Sequence, residues 1–391
     1  MILLAGHLMF RFLTAGESHG KALNVILEGI PSGLAVEVDN IADELSRRRL
    51  GYGRGPRMRF ERDDVEILGG IRHGVTLGSP ISIVIHNSEW PKWEEEMSVA
   101  PGSTNKKLTQ PRPGHADLPG MRKYDLDDAR NVLERASARE TAARVAAGTI
   151  AKLVMRELGT EIMSHVLSIG QARVPEGAPR PDFSDLATID ANEVRCFSAE
   201  STDAIIAEIK AAAKAGDSLG GVVEVLGFGV PEGLGSHVHW DRKIDGLLAQ
   251  SLMSIQAIKA VEIGDGFDNA YKWGSEAHDE ILYDTDHYVR PTARAGGVEG
   301  GITNGSLLVC RAWMKPLASL NRPVIRTTDV ETKEETVSFK ERTDVTAVPA
   351  AGVVAETMVA LTLMSEASRK FGGDSMKEFL ANARNFSESL D

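Results

Sequence analysis

Four stretches of the chain alternate apolar and polar residues with the period of two that is typical of half-buried strands. These stretches are residues 22–28, 81–86, 221–226 and 306–313. Three further stretches carry helix-like apolar faces. VDNIADELSRRRL opens with an Asp/Asn cap and ends at Gly51, and STDAIIAEIKAAAKAG starts with Ser and Thr and ends at Gly216. The third is the Ala-rich SARETAARVAAGTIAKLVMREL. Because the helices fall irregularly between the strands, the pattern favours an α+β fold over a doubly wound parallel sheet.

Two distant segments resemble each other. VILEGIPSGLAVEVDNIADEL (25–45) and EVLGFGVPEGLGSHVHWDRKIDGLL (224–248) each predict a strand, a Gly-Ile/Val-Pro-x-Gly-Leu turn and a helix. VEILGGIRHG (65–74) and VEGGITNG (298–305) follow in the same order, and each precedes a strand. Chance is an alternative, since Gly-Pro turns are common. Two pairs in matching order favour a duplication, so we expect residues 22–86 and 221–314 to share one topology.

Length and composition predict one large domain. The chain has 391 residues, of which 42% are hydrophobic, enough for a substantial core. We expect a single domain over 1–391, with a flexible extension at 1–9, repeat halves at about 10–150 and 218–365, and a C-terminal helix at about 373–388. The most apolar stretch, VTAVPAAGVVAETMVALTLM, carries Pro349 and Glu356 and predicts a buried helix rather than a membrane span.

The charge and the cysteines exclude several classes of protein. A net charge of −12 and a pI near 5.4 argue against a protein that coats nucleic acid, which needs positive charge to neutralise phosphates. The acidic overall charge is still compatible with a local basic pocket that binds a small anion. Cys196 and Cys310 are far apart and in no C-x-x-C, so they predict neither a disulfide framework nor a zinc knuckle, and they favour a reducing cytosol.

Seven arginines and no lysine occur in SRRRLGYGRGPRMRFER, residues 46–62. Arginine is a fixed cation whose planar fork suits carboxylates and phosphates. A solvated helix end, at the negative end of the helix dipole, explains Arg47 to Arg49 but not the arginines beyond Gly51. An RNA-binding segment would need interleaved aromatic residues and a basic surrounding chain. We therefore favour a pocket for a compact polyanion.

Two histidines lie in glycine- or proline-rich loops. His19 follows Ser18 in TAGESHG, and because neighbouring side chains point in different directions, the pair does not indicate a serine hydrolase. A proton donor or an anion ligand is the better interpretation for His19. His115 lies in QPRPGHADLPG with Arg112 and Asp117, where prolines stiffen the loop. Taken alone, this loop is better explained as a rigid surface loop with an incidental histidine, and His-x-Asp is too short for a metal site.

Two further motifs have competing interpretations. In ERASARETAARVAAG, Ser137-x-x-Glu140 predicts a capping box and an anion-accepting helix start, but one continuous helix from Asp128 is an equal alternative. In KERTDVTAVPAAG, residues 340–352, Arg342 and Asp344 precede an apolar helix, and taken alone an ordinary Asp/Thr helix start explains this segment better than a catalytic role does. The chain has no P-loop and no strand-GxGxxG-helix unit, which argues against nucleotide kinases and Rossmann enzymes.

Taken in order, GESHG, RRRLGYGRG, RPGHAD, ERASARETAARVAAG and RTDVTAVPAAGVVAET resemble the chorismate synthase family, from about Phe10 to about residue 385. EWPKWE, SIQAIKAVEIGDGF and AGGVEGGITNG are similar to its actinobacterial branch. The resemblance implies an α+β fold, a β-α-β sandwich of two antiparallel sheets around helices with an internal pseudo-two-fold repeat. It also implies a lyase that eliminates phosphate and the C6 proton from 5-enolpyruvylshikimate 3-phosphate, in an anti-1,4-elimination that gives chorismate.

The same resemblance implies reduced FMN as cofactor, NADPH as a possible reductant, a cytoplasmic homotetramer, and neither a nucleic acid nor a membrane as partner. The catalytic positions that it implies are His19, which would serve the departing phosphate; His115, which would protonate the flavin at N1 or O2; and Asp344, which would relay the C6 proton by way of flavin N5. The implied substrate-binding residues are Ser18, Arg48, Arg54, Arg57, Arg112, Arg139 and Arg342.

The cofactor-binding residues that the resemblance implies come from all parts of the chain. They are Arg48 and Arg54, which match NADP positions, together with Arg135, Ala136, Ser137, Gln256, Ala257, Gly301, Lys315, Pro316, Leu317, Ala318, Ser319 and Arg342. We therefore expect the cofactor to lie where the two repeats meet. Thr343 departs from the Ser or similar residue of most members. Two rival functions remain, a polyanion- or RNA-binding module and a phosphotransferase, and the latter would need magnesium carboxylates beside a phosphate loop.

Overall fold

Two antiparallel sheets enclose a layer of helices. The computed structural model describes residues 10–54, 63–104, 106–285, 287–339 and 343–390. The four-stranded sheet has the order β1-β2-β6-β3 and the five-stranded sheet the order β10-β15-β9-β7-β8. Their strands are β1 Arg11–Ala15, β2 Ala22–Glu28, β3 Asp64–Gly69, β6 Ile81–His86, β7 Glu161–Ile169, β8 Ala172–Arg173, β9 Gly221–Phe228, β10 Ile258–Ile263 and β15 Leu308–Met314. The short ladders are β4 Ile71–Arg72 with β5 Val75–Thr76, β11 Leu282–Asp284 with β12 His287–Val289, β13 Val298–Glu299 with β14 Ile302–Thr303, and β16 Arg326–Thr328 with β17 Glu335–Val337.

The helices lie mainly between the sheets or at their edges. The α-helices of the described residues are α1 Val38–Arg49, α2 Asp117–Tyr124, α3 Arg130–Ala136, α4 Thr141–Glu157, α5 Leu186–Ala191, α6 Ala199–Ala215, α7 Ile244–Met253, α8 Gly266–Asn269, α9 Gly274–Ala277, α10 Val348–Phe371 and α11 Met376–Glu388. The α+β sandwich expected from the sequence is therefore confirmed. The expected bounds of the single domain and of its halves stay predictions, and residues 1–9 lie outside the described part.

Helices α4 and α10 form the centre of the helical layer. Helix α4 packs against β2 of the four-stranded sheet, whereas α10 packs against β7 and β9 of the five-stranded sheet. The two helices cross closely because Gly148 of α4 has no side chain, and a Cβ at this position would collide with Thr357 of α10. Within the described residues, α10 is the one helix long and apolar enough to cross a membrane, and it is almost wholly buried in the core. The sequence prediction of a buried helix here is confirmed.

The two repeated segments have the same topology. In the first, β2 leads through a turn to α1, and β2 and β3 flank the central strand β6. In the second, β9 leads through a turn to α7, and β9 and β10 flank the central strand β15. All of these strand pairs are antiparallel. The pseudo-two-fold relationship predicted from the turn motifs is confirmed.

Equivalent threonines fix the repeated turns. The Thr76 hydroxyl donates to the carbonyl oxygen of Pro31 at 2.7 Å, and the Thr303 hydroxyl donates to the carbonyl oxygen of Pro231 at 2.6 Å. Each hydroxyl also accepts a hydrogen bond from a leucine backbone N–H, at 2.9 Å from Leu34 and at 2.8 Å from Leu234. The same pair of bonds in both halves explains why the Gly-x-Pro-x-Gly-Leu turn appears twice in the sequence.

Local details differ from the expectations at helix starts. Helix α1 begins behind Glu37, which forms a capping box with Asn40, rather than behind an Asp or Asn cap. Helix α6 begins behind Ser198 and ends at Gly216 in the left-handed conformation, as its C-terminal glycine predicts. The continuous-helix alternative is wrong, because Ser137 adopts an extended conformation between α3 and the 3-10 turn Ala138–Glu140 that leads into α4.

A buried charge network joins α1, α4 and α10. The carboxylate of Glu356 on α10 has no exposed surface and contacts Arg47 at 2.8 Å, Lys152 at 2.6 Å and Arg195 at 3.2 Å. Burial alone would raise the pKa of Glu356, but these three cations outweigh burial and hold that pKa well below its usual range. The network explains how a glutamate fits in the most apolar helix. It also fixes α1 through Arg47, while the next residue of that helix, Arg48, projects about 100° away around the helix axis and lines the cavity described below.

Candidate active site

A large cavity of about 760 Å³ is lined mainly by loops and helix ends of the described residues rather than by the strands of either sheet. This volume falls within the roughly 300–1,000 Å³ range of small-molecule sites. Residues of the first repeat, of the α3–α4 region and of the second repeat all line it. The two halves of the chain therefore meet at this cavity, and the cofactor position expected from the sequence stays a prediction.

Most of the predicted site residues line this cavity. They are Ser18, His19, Arg48, Arg54, Arg112, His115, Ala136, Ser137, Arg139, Gln256, Ala257, Lys315, Leu317, Ala318, Ser319 and Asp344. Arg135, Gly301 and Pro316 do not line it. The Arg135 guanidinium instead donates to the carbonyl oxygens of Thr14 and Gly16. Arg57 and Arg342 lie outside the described residues.

Glu134 holds His19 in place. The backbone N–H of His19 donates to Oε2 of Glu134 at 2.8 Å, and its Nδ1 lies 2.9 Å from Oε1. The backbone N–H of Ser18 donates to the Glu134 carbonyl oxygen at 2.9 Å, while the Asn87 amide donates to the carbonyl oxygen of Gly20 at 2.9 Å. The glycine-rich turn is thus bound on both sides, and His19 has one orientation at the cavity wall.

The charge of Glu134 determines which nitrogen of His19 faces the cavity. Burial alone would raise the pKa of Glu134, but the hydrogen bonds from His19 and the charge of Arg130 lower it below its usual range. An ionised carboxylate can only accept hydrogen bonds, so Nδ1 of His19 carries a proton. The Nε2 atom of His19 is therefore the one available for proton exchange at the cavity.

His115 has the same kind of carboxylate partner. Its Nδ1 lies 2.5 Å from Oδ1 of Asp117, which has no exposed surface. Arg112 donates to the other oxygen of Asp117 through Nε at 2.9 Å, and to the Ser319 hydroxyl through Nη1 at 2.9 Å. Burial would raise the pKa of Asp117, but hydrogen bonds from His115 and Arg112 hold it far below its usual range. Two histidine–carboxylate pairs thus border one cavity.

Cations dominate the polar wall of the cavity, in contrast to the acidic chain. Arg48 is buried and donates to the Thr141 hydroxyl and to the Ala138 carbonyl oxygen, both at 3.0 Å. The cationic lining residues are Arg48, Arg54, Lys92, Lys106, Arg112, Arg139 and Lys315, whereas the acidic ones are Glu89 and Asp344. Excess positive charge in a concave, low-dielectric site attracts and concentrates anions.

Besides Arg112, two more of the cavity arginines pair with aspartates. Arg54 Nη1 lies 3.2 Å from Oδ2 of Asp344, and Arg139 Nη1 lies 3.6 Å from Oδ1 of the buried Asp63. The Nε atom of Arg54 is buried and makes no hydrogen bond within the described part of the chain. Buried polar atoms without partners are rare, because leaving one unsatisfied costs about 1–3 kcal/mol. An anionic ligand in the cavity would satisfy this atom.

Another part of the cavity lining is apolar and carries one amide. The apolar residues of this part of the lining are Ile255, Ala257, Met314, Leu317, Ala318, Ala347, Ala350, Ala351 and Val354. Gln256 donates through Nε2 to Glu140 at 3.2 Å, while its Oε1 atom is buried and accepts no hydrogen bond from any described residue. A flat, partly apolar ligand with an N–H group on its edge would suit this wall.

Sequence reasoning did not identify Trp93, Arg130 or Glu134 as site residues. The His19 and Trp93 rings stack, with centroids 4.0 Å apart, and Arg130 pairs with Glu134. Glu134 is the first residue of the motif ERASARETAARVAAG and Trp93 lies in EWPKWE, but more than seventy residues separate His19 from Trp93. No local pattern shows that such distant residues touch.

Comparison with known proteins decides the family. A family model described as chorismate synthase matches residues 10–367. The chain belongs to the chorismate synthase family. Chorismate synthase of Streptomyces coelicolor is 55% identical, covering 97% of this chain and 98% of that protein, and that of Thermobifida fusca is 56% identical, covering 98% and 99%. A solved structure titled "Crystal Structure of Chorismate Synthase" aligns with a TM-score of 0.79 and 41% identity over 98% of each chain.

These matches confirm the resemblance found in the motifs, including its actinobacterial character. They also confirm the α+β fold and the enzyme class, because chorismate synthases are lyases of the shikimate pathway. Membership of this family argues against both rival functions, the phosphotransferase and the non-catalytic polyanion-binding module.

Proposed function

We infer that the protein catalyses the anti-1,4-elimination of phosphate from C3 and a proton from C6 of 5-enolpyruvylshikimate 3-phosphate, which gives chorismate. The observation that carries this proposal is the cavity itself, where two histidine–carboxylate pairs and Asp344 stand among cations. The elimination needs an acid near the departing phosphate and a base near C6, and the cavity offers candidates for both.

The cationic wall suits the charge of this substrate, which carries two carboxylates and a phosphate. Each charge-assisted hydrogen bond contributes about 1.5–3 kcal/mol, and several are needed to offset the desolvation of so many charges. Ser18, Arg48, Arg54, Arg112 and Arg139 line the cavity and are proposed to bind the substrate. Arg57 and Arg342 remain in the proposal from the resemblance alone.

Reduced FMN is the cofactor that we propose. The apolar wall and the buried Gln256 Oε1 support it, since they suit a flat ring whose edge carries an N–H group. The lining residues that would hold reduced FMN are Ala136, Ser137, Gln256, Ala257, Lys315, Leu317, Ala318 and Ser319. Arg135, Gly301 and Pro316 stay predicted contacts, although they lie outside the cavity of one copy of the chain. When bound, reduced FMN supplies an electron-rich ring that assists the loss of the allylic phosphate.

Each of the three proposed catalytic side chains has a distinct task. His19 would donate a proton from Nε2 to the departing phosphate, while Glu134 stabilises the imidazolium. His115, paired with Asp117, would hold a proton at the cavity edge where the cofactor binds. Asp344 would accept the proton that leaves C6. Its carboxylate pairs with Arg54, and it would become available as a base when a substrate anion takes its place at Arg54.

The proposal also covers the setting of the enzyme. We place it in the cytoplasm as a homotetramer, without a nucleic acid or a membrane as partner. NADPH is a possible reductant of FMN, and Arg48 and Arg54 would contact it. Oxidation of NADPH in the presence of FMN, without an added reductase, would show whether the protein reduces its own cofactor.

The proposal is tested by phosphate release from 5-enolpyruvylshikimate 3-phosphate under anaerobic conditions. We expect release with dithionite-reduced FMN, and none with oxidised FMN or with dithionite alone. The proposal would be contradicted if no phosphate were released under any condition, or if phosphate release did not depend on flavin. A polyanion-binding module would instead bind RNA or heparin with an affinity that falls steeply with salt, and would show no turnover.

A further inference from the structure

We propose that Trp93 is a positioning residue for His19: it keeps the Nε2 edge of the imidazole directed at the departing phosphate. The inference rests on the function proposed above, because it concerns the proton donor of that reaction. It adds a residue to which the family resemblance assigned no role, although Trp93 lies in the EWPKWE motif.

The stacking of Trp93 on His19 is close and nearly parallel. The ring centroids lie 4.0 Å apart with an angle of 29° between the planes, and both residues line the cavity. The tryptophan follows the 3-10 turn Trp90–Lys92, and its backbone N–H donates to the Trp90 carbonyl oxygen at 2.8 Å. The backbone of Trp93 is therefore held by its own turn. Asn87, which accepts from the Trp90 N–H and donates to the carbonyl oxygen of Gly20, links that turn to the one that carries His19.

Arg130 connects Trp93 to the partner of His19. Its guanidinium carbon lies 5.1 Å from the centroid of the Trp93 ring, and its Nη1 atom lies 3.1 Å from Oε1 of Glu134. Glu134 in turn binds Nδ1 of His19. Four side chains thus form a closed circuit of contacts, in the order His19, Glu134, Arg130 and Trp93.

The circuit restricts motions that a single contact would leave free. The hydrogen bond to Glu134 fixes the position of Nδ1, but the imidazole could still rotate about the line of that bond. The face of Trp93 blocks this rotation, so the hydrogen bond and the stacking together determine where Nε2 points. An aromatic face also favours a cationic imidazolium, which is the form that donates the proton.

Substitution of Trp93 should therefore act on turnover through His19. In Trp93→Leu we expect kcat for phosphate release to fall roughly 10- to 100-fold, because a small displacement of a catalytic group costs rate on this scale. KM for the substrate and the affinity for FMN should change less than about threefold, since charged and apolar contacts elsewhere supply the binding. Trp93→Phe keeps an aromatic face and should restore most of kcat.

A double-mutant cycle separates positioning from a merely structural role. With enzyme in excess over substrate, so that slow turnover is measurable, Trp93→Leu is compared in the wild-type and His19→Asn backgrounds. We expect the large effect in the first and almost none in the second. Trp240→Leu is the matched control, because Trp240 is exposed, contacts His239 and does not line the cavity, and it should leave kcat unchanged.

The outcomes distinguish the inference from the function on which it rests. If the wild-type protein releases phosphate but Trp93→Leu keeps its kcat, or loses the same factor in both backgrounds, the positioning role is wrong and the function stands. If the wild-type protein releases no phosphate at all, the function is wrong and the inference falls with it. Thermal unfolding of each variant, with Trp93→Phe as the conservative one, identifies loss of folding as the cause of any inactivity.

Discussion

Nδ1 of His115 and Oδ1 of Asp117 lie 2.5 Å apart, and the aspartate is completely buried. Asp117 also binds Arg112, whose side chain is 5% exposed, so one carboxylate fixes both a proposed acid and a proposed cation of the cavity. The carboxylate is thus the common support of the proline-stiffened loop, although it is not itself among the cavity-lining residues.

Replacement of Asp117 by Asn should impair turnover more than substrate binding. The variant removes the negative charge that stabilises a protonated His115, so we expect kcat to fall about 10- to 100-fold, part of what a general acid supplies. It also leaves Arg112 buried without its counter-ion, which should cost roughly 3–5 kcal/mol of stability. Anaerobic phosphate release and thermal unfolding measure the two effects. Asp125→Asn, at the exposed end of α2, is the control and should change neither.

Arg54 offers a test of bidentate recognition. Arg54→Lys keeps the positive charge but loses the planar fork, so we expect KM for the substrate to rise about tenfold, the equivalent of one weakened charge-assisted bond. Arg11→Lys is the matched control, because Arg11 pairs with Glu28 on the surface with 79% of its side chain exposed. Unchanged KM in Arg54→Lys would show that Arg54 does not contact the substrate.

The equivalent hydroxyls of Thr76 and Thr303 predict matched losses of stability. Valine at either position leaves a proline carbonyl and a leucine N–H without their partner, and we expect each variant to lose about 2–4 kcal/mol. Serine at either position keeps the hydroxyl and should lose much less. Thermal unfolding of the four variants tests the repeat energetically, and a large loss in one half alone would argue against equivalent roles.

Sequence patterns predicted the repeat because the same turn chemistry recurs in a short stretch. They could not resolve the arginine run, since Arg47 and Arg48 are neighbours in sequence yet face different surroundings. Successive helical residues point about 100° apart, so Arg47 reaches the buried Glu356 while Arg48 reaches the cavity. Which of the two faces the cavity depends on how α1 packs, and that is a property of the tertiary structure.

The candidate site was predictable where long motifs carry its residues. His19, His115 and Asp344 stand in such motifs and lie together at the cavity. Their supports were not predictable, because the contact between His19 and Glu134 joins residues 115 positions apart. The predicted start of α1 was wrong for a different reason. The sequence pattern places the cap at the Asp39–Asn40 pair, but the extended residue before the helix is Glu37, and Asn40 instead lies in the first turn as its capping-box partner.

A buried row of charges crosses the outer face of the five-stranded sheet and predicts acid sensitivity. Burial would raise the pKa of Glu224, but the hydrogen bond from His165 and the charges of Arg180 and Arg311 lower it to about 2. A depressed folded-state pKa stabilises the protein above the unfolded value of 4.5, and this stabilisation is lost as the pH falls towards about 2.

Comparison with Glu224→Gln measures that contribution. The variant should be less stable than the wild type by about 3 kcal/mol near neutral pH, on the scale of 1.36 kcal/mol per pKa unit. The difference in the free energy of unfolding between wild type and variant should become smaller as the pH falls from about 4.5 to the lowest pH at which the protein stays folded. Urea unfolding across this range gives both free energies, and a gap that stays constant with pH would refute the role of Glu224.

The most direct test of the account measures turnover and flavin affinity together in His19→Ala and His115→Ala. Each variant removes one cavity-facing imidazole and leaves the cationic wall in place. We expect each to release phosphate from 5-enolpyruvylshikimate 3-phosphate about 10²–10⁴-fold more slowly than the wild type, with FMN still bound. Turnover near that of the wild type in either variant would contradict the assignment of this cavity as the catalytic centre.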